Sequence, residues 1–195
     1  MKVITYGSAL TLGLIVFKNE IVIPIQDEFS SNKPLGIYSK YGDISGQLLP
    51  NLIYTAYMGL EESNNSSRRA QFMLKSTLLS GMTTFFLKRV FNARRPNNGD
   101  RLSFPSGHTT TAFAFAGVIG IEHPRYALAA YSLATFVGLS RMNDNAHFLY
   151  DVTLGATIGI AYAYGLRNNV EKKKSSEFSI YPTLDGAKLH YSYHF

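Results

Sequence analysis

The 195 residues include no cysteine. That excludes disulfides, thiol nucleophiles and cysteine-ligated zinc, and it leaves the redox compartment open. Charge is scarce as well. Asp, Glu, Lys and Arg make up 16% of the chain, against about a quarter in an ordinary soluble domain. Long hydrophobic runs are missing too. No stretch reaches the roughly 18 to 20 uncharged apolar residues of a spanning helix. The best candidates, 3–17, 126–139 and 152–166, hold about fifteen residues each, and mean hydropathy is only −0.03. These shortfalls favour a soluble or peripheral domain with an unusually apolar core over a polytopic membrane protein. The opening MKVITYGSALTLGLIVF has the lone Lys and apolar run of a signal peptide but no small-x-small cleavage site, so it is expected to be a first core helix.

What is abundant is apolar and aromatic. Apolar residues make up 46%, with 13 Tyr and 13 Phe. The formal net charge of +6 favours anionic partners: phosphates, an acidic membrane surface or nucleic acid. The length fits one domain. Apolar runs and their punctuation predict about six helices, near 3–17, 47–62, 67–93, 106–121, 125–140 and 146–166. Residues 30–46, rich in Gly, Pro, Ser and Asp, read as a loop. The charged NNVEKKKSSE (168–177) reads as a linker. The alternating AKLHYSYHF, preceded by FSIYP and the turn LDG, reads as a C-terminal β-hairpin. The expected fold is thus all-α: a compact bundle over 1–167, with a linker and hairpin tail over 168–195.

A chain this poor in charge nevertheless places SRMNDNAHFLYD directly after the uncharged YALAAYSLATFVGL. Buried charge is costly unless it is paired or used. His147 and Asp151 are four apart, so on a helix they share a face, and the carboxylate can fix the imidazole tautomer and leave its other nitrogen free. Asp144, between Arg141 and His147, reads as a solvated loop carboxylate. In FPSGH, Pro105 and Gly107 shape a turn into a helix whose free N–H groups bind anions, with His108 alongside as a proton donor. In KRVFNARRP, Lys88 and Arg95 are two helical turns apart and so fall on one face, while Arg89 and Arg94 lie off it. Each fragment has an ordinary structural explanation. Together they supply three cations, a helix N-terminus, two His and one Asp at three consecutive helix junctions, a set suited to holding a phosphate and attacking it.

The ordered pattern Lys-x6-Arg-Pro, Pro-Ser-Gly-His, Ser-Arg-x5-His-x3-Asp resembles that of the type 2 phosphatidic acid phosphatases (PAP2) and vanadium haloperoxidases. Eleven specified residues match in register, over about residues 70–160. The resemblance implies a helical bundle and a metal-free phosphomonoesterase acting on a phosphorylated lipid or a small phosphoester. It implies that Lys88, Arg95 and Arg141 clamp the phosphate and that Ser106 and Gly107 bind it. His147, oriented by Asp151, would attack phosphorus to give a phosphohistidine, and His108 would protonate the leaving alkoxide and later activate water. No cofactor is implied for a phosphatase, and vanadate would inhibit. In the alternative reading, a haloperoxidase, vanadate would be the cofactor. A third reading is a non-catalytic phosphate or phospholipid-binding module. A nucleic-acid partner is not expected, because the basic residues are not interleaved with aromatics along a groove-sized element. The eight residues 97–104 between the first two motifs and the short apolar runs favour a compact, peripheral or soluble member, in a bacterial-type periplasm or at a membrane surface.

Overall fold

The computed structural model describes the backbone of residues 2–61, 65–173, 176–183 and 186–193, and side chains as far as Arg167. Among these residues there are eight α-helices rather than six: α1 (Lys2–Val16), α2 (Ile23–Asn32), α3 (Ser39–Ser45), α4 (Leu49–Leu60), α5 (Ser66–Phe91), α6 (Gly107–Glu122), α7 (Ala127–Asn143) and α8 (Leu149–Lys173). The two extra helices come from the segment around 23–46. There Lys33 ends α2 in the left-handed conformation (φ 42°), and a 3-10 turn at Gly36–Tyr38 leads into α3. Gly, Ser and Asp are weak helix formers, so composition reads this stretch as loop; contact with α7 holds α3 helical. At the other end, α8 continues to Lys173, past the start of the expected linker. Beyond it the backbone of β1 (Ser176–Thr183) and β2 (Gly186–Tyr193) is paired antiparallel, Thr183 opposite Gly186. The two strands pair with each other, and the expected turn residues 184 and 185 lie outside the described ones.

The body is arranged around α6, which packs on α5, α7 and α8; α1 lies against α8, α4 against α5 and α3 against α7. The α6–α8 contact is the tightest, and glycine makes it so. A Cβ at Gly155 would come 2.6 Å from the Ser106 carbonyl, and one at Gly159 2.6 Å from Thr110 O and Ala114 N. The two helices therefore meet backbone to backbone, which brings the start of α8 to the start of α6.

The apolar core expected from composition is present, with Phe72, Met73, Val118, Ile119 and Val137 packed together with alanines, but it holds only part of the large apolar side chains. The buried positions are largely small or polar: Ala114, Ala116, Ala134 and Ala163 with Ser76, Ser80, Thr109 and Thr110. Most of these hydroxyls are paired, as Thr84 is with Thr110 across α5 and α6 (3.0 Å), so burial costs them little; the Ser76 hydroxyl has no partner. Many large apolar side chains point outward. Leu60 is 85% exposed, Leu128 82% and Phe86 65%, and more such residues run along α1, α4 and α5. Among the described residues no single helix is long and apolar enough to cross a membrane. Lys2–Val16 and Lys18–Asn32 meet that test only together, bent by 82° at the break between them.

Candidate active site

The site is built where α5 ends, α6 begins and α7 turns into α8. Asn92 adopts the left-handed conformation (φ 44°) and stops α5 at Phe91, a common helix terminator. Arg95 therefore lies beyond the helix, and the shared helical face expected for Lys88 and Arg95 does not exist. The loop supplies the positioning instead. Arg95 Nε donates to Asp100 Oδ1 (2.7 Å), and its Nη1 donates to the Ala146 carbonyl (3.3 Å) and faces His147 Nε2 (3.3 Å). Lys88, in the last turn of α5, donates to the carbonyls of Leu102 and of Ser103 (3.2 Å). Burial, then the neighbouring Arg95, pulls its ammonium down to about 8.

His147 lies in the turn before α8, not on the helix. Asp151 reaches it by a capping arrangement. Phe148 precedes the first helical residue, Leu149, and the Asp151 carboxylate turns back to accept the Phe148 N–H (2.9 Å), as an acidic third helical residue does in a capping box. The same Oδ2 accepts from the buried Ser103 hydroxyl and lies 3.3 Å from His147 Nδ1. Arg95 carries donors only, so the nitrogen it faces, Nε2, bears the lone pair. Nδ1 then carries the proton and donates to Asp151. The ring is 2% exposed, and burial pushes its pKa down to about 4 against the opposing effect of Asp151. The result is a neutral imidazole with Nε2 turned toward the cations.

Ser106 caps α6 in an extended conformation, fully buried, and its N–H donates to the Asp151 carbonyl (3.0 Å). Gly107 and His108 open the helix, where no preceding helical carbonyl can take their N–H groups. A Cβ at Gly107 would lie 3.8 Å from Lys88 Cε, so this helix start borders the clamp. Arg141, in the last turn of α7, receives the backbone N–H groups of Ala146 (3.0 Å) and His147 (3.2 Å) on its carbonyl. Its guanidinium bonds Asp43 through Nη1, which also lies 3.5 Å from Asp144 Oδ2. Asp144 is thus an ion-pair partner rather than a solvated loop residue. His108 is held below its ordinary value by burial first and then by Arg141, with Arg95 and Lys88 adding to the effect. The chain thus brings Lys88, Arg95, Ser106, Gly107, His108, Arg141, His147 and Asp151 together.

Comparison with known proteins bears on this arrangement. The family model of the PAP2 superfamily matches residues 70–175, just over half of the chain. The chain belongs to the PAP2 superfamily. A lipid A 1-phosphatase of Porphyromonas gingivalis is 33% identical over 130 residues, covering 63% of this chain and 29% of that protein. A lipid A 4′-phosphatase of Helicobacter pylori is 25% identical over 175 residues, 84% of each chain. The chain spans less than half the length of the lipid A 1-phosphatases it matches. Among solved structures, Aquifex aeolicus LpxE superimposes with a TM-score of 0.66 at 21% identity over 76% of this chain and 95% of that one. A transmembrane PAP2-type phosphatidylglycerolphosphate phosphatase of Bacillus subtilis gives 0.63 at 21% identity over 88% and 98%. At such identities the likeness is one of fold, and it covers the helical body that positions the site.

Three residues of this PAP2 site escape a motif reading. Ser103 is an ordinary serine two residues before the Pro-Ser-Gly-His motif. Asp100 fixes Arg95 from a loop. Asp43 arrives from α3, some sixty residues ahead of the first histidine, and only its glycine-flanked setting, YGDISG, hints at a tightly packed position. Among the described residues no group of three His, Asp or Glu side chains is placed to hold a metal ion.

Proposed function

We propose that the protein is a lipid phosphate phosphomonoesterase that works through a phosphohistidine on His147. One observation carries this reading. A buried neutral imidazole, tautomer fixed by Asp151, turns its lone pair toward Arg95, and two other residues of the same site, Lys88 and His108, line an apolar cleft. That cleft, about 960 Å³, runs between α4 and α5, and its walls include Leu52, Leu78, Met82, Phe85 and Phe86. It ends on Lys88, Gly107 and His108. A phosphate in the clamp would lay an attached hydrocarbon chain along the cleft.

Lys88, Arg95 and Arg141, with the first N–H groups of α6, hold the phosphoryl oxygens and offset the charge they gather during transfer. His147 Nε2 attacks phosphorus and the bond to the lipid oxygen breaks. His108 gives its proton to that oxygen, so an alcohol leaves. His108, now neutral, takes a proton from water as the water oxygen attacks the N–P bond. Inorganic phosphate departs and His147 regains its lone pair. The three cations do the work that other phosphatases assign to metal ions, so no divalent ion is needed. The apolar exterior supports a protein bound in lipid, which also brings the cleft to its substrate. The relatives are named for different lipid phosphates, and this supports the class of substrate rather than one member of it.

The test is inorganic phosphate release from a panel of lipid phosphates, with and without a chelator. Release should persist in excess EDTA and vanish in His147→Ala. Loss of turnover in EDTA with recovery in magnesium would refute the metal-free mechanism, and turnover by His147→Ala would refute the nucleophile. In single-turnover alcohol release, His108→Ala should lose about 10² to 10⁴ on an alkyl phosphate and much less on p-nitrophenyl phosphate, whose leaving group needs no proton.

A further inference from the structure

α3 brings a carboxylate to the phosphate site that the chemistry above does not use. Asp43 Oδ1 lies 3.2 Å from His108 Nε2 and also accepts from Arg141 Nη1. Those are the donors assigned to the leaving oxygen and to an oxygen of the phosphoryl group. A single carboxylate oxygen thus stands where a phosphoester oxygen would be held. The placement is built into the packing. A Cβ at Gly42 would lie 2.3 Å from Ser140 Oγ, and one at Gly46 2.7 Å from His108 Cβ and from Val137 Cγ1. On both sides of Asp43, therefore, α3 rests directly on α6 and α7. The Arg141 side chain is 11% exposed, and its Nε is buried without a partner, a donor left over for a ligand. The Asp43 side chain is 41% exposed, so it can rotate into water while α3 stays seated.

We propose that Asp43 is an internal competitor of phosphate: it occupies the Arg141–His108 side of the empty site and must be displaced by every phosphate that binds. This rests on reading the site as a phosphate site. The carboxylate keeps Arg141 from facing Lys88 and Arg95 unneutralised, and it lowers the affinity for the free phosphate product. A lipid substrate can offset the same cost with its chain in the α4–α5 cleft; inorganic phosphate cannot. Asp43 thereby biases the site toward releasing its product.

The test measures binding of inorganic phosphate and of orthovanadate to the full chain by calorimetry, for the parent and for Asp43→Asn, Asp43→Ala, Asp43→Glu and Arg141→Ala. Asp43→Asn and Asp43→Ala should each bind phosphate about fivefold more tightly, the gain expected when a half-exposed ion pair no longer competes. Asp43→Glu keeps a carboxylate and should stay near the parent, and Arg141→Ala should bind more weakly. If the parent binds phosphate while Asn and Ala variants bind it equally or less well, Asp43 positions Arg141 and His108 rather than competing, and the inference is overturned. A Glu variant as tight as the Asn variant would overturn it as well. If the parent binds neither anion, the phosphatase reading fails, and this inference fails with it.

Discussion

Lys88 is the titrating member of the proposed phosphate clamp. A guanidinium holds its charge across the working range, but burial and Arg95 bring the Lys88 ammonium down to about 8. As pH rises through that value the amine loses its proton and the clamp falls from three cations to two. A bound phosphate favours the charged form, so the loss should fall on KM and on the inhibition constant for phosphate more than on kcat. We expect the phosphate inhibition constant to climb above about pH 8, and Lys88→Arg to remove that limb. A parent profile that stays flat well beyond pH 8 would assign the clamp differently. On the acid side, burial keeps His147 neutral to about 4, so the proposed nucleophile retains its lone pair in mild acid. The sign for stability is the opposite of a benefit. Below about 6.5 the unfolded chain takes up a proton that the folded site refuses, so His147 makes the fold less stable as pH falls from there toward 4.

The helices differ in how far sequence alone reveals them. The start of α6 was readable because Pro105, Ser106 and Gly107 determine a helix N-terminus by local chemistry. The ends of α5 and α7 were placed within a few residues for similar reasons. The helix α3 was not, because its residues favour a turn and only contact with α7 makes them helical. Asp43 was lost with it. Spacing identifies the residues of the two histidine motifs but not all of their geometry. The Lys88–Arg95 spacing suggested a continuous helix, and a left-handed Asn92 interrupts it. The His147–Asp151 pair suggested two residues on one helix, and a capping turn joins them instead. What no pattern disclosed was the closeness of α6 and α8. At Gly159 an added side chain would meet the Thr110 carbonyl, which belongs to rigid backbone and cannot swing aside. Gly159→Val should therefore separate the two helices and destabilise the protein by about 1–3 kcal/mol. It should also lower kcat, because Ser106 and Asp151 are joined across the same contact. Gly165→Ala has open space at its Cβ and should do neither, so thermal melting and turnover of the two variants check the argument together.

At the scale of the whole molecule, a small apolar core of residues such as Met73, Val118 and Val137 is lined by buried hydroxyls and alanines, and many other large apolar side chains face outward. Composition counts apolar residues without saying which way they face. The apolar runs are short because charged residues such as Lys18, Arg141 and Asp151 end them. The apolar exterior and the α4–α5 cleft share one surface, and Lys88, Gly107 and His108 line that cleft. If the cleft holds the hydrocarbon part of the substrate, its walls should matter only to substrates that have one. Leu52 and Met82 line it and are 49% and 67% exposed, so replacing them with Gln opens no cavity in the core. Removing the contact of several buried methylenes should raise KM for a long-chain lipid phosphate about tenfold or more. Turnover of p-nitrophenyl phosphate, which has no chain to place there, should be unchanged. Leu128→Gln, on the exterior but away from the cleft, serves as the comparison, since a general loss of lipid contact would affect it as well. Equal increases for Leu52→Gln and Leu128→Gln would point to surface binding alone, and equal losses on both substrates would mean that the cleft shapes the phosphate site instead of holding a chain.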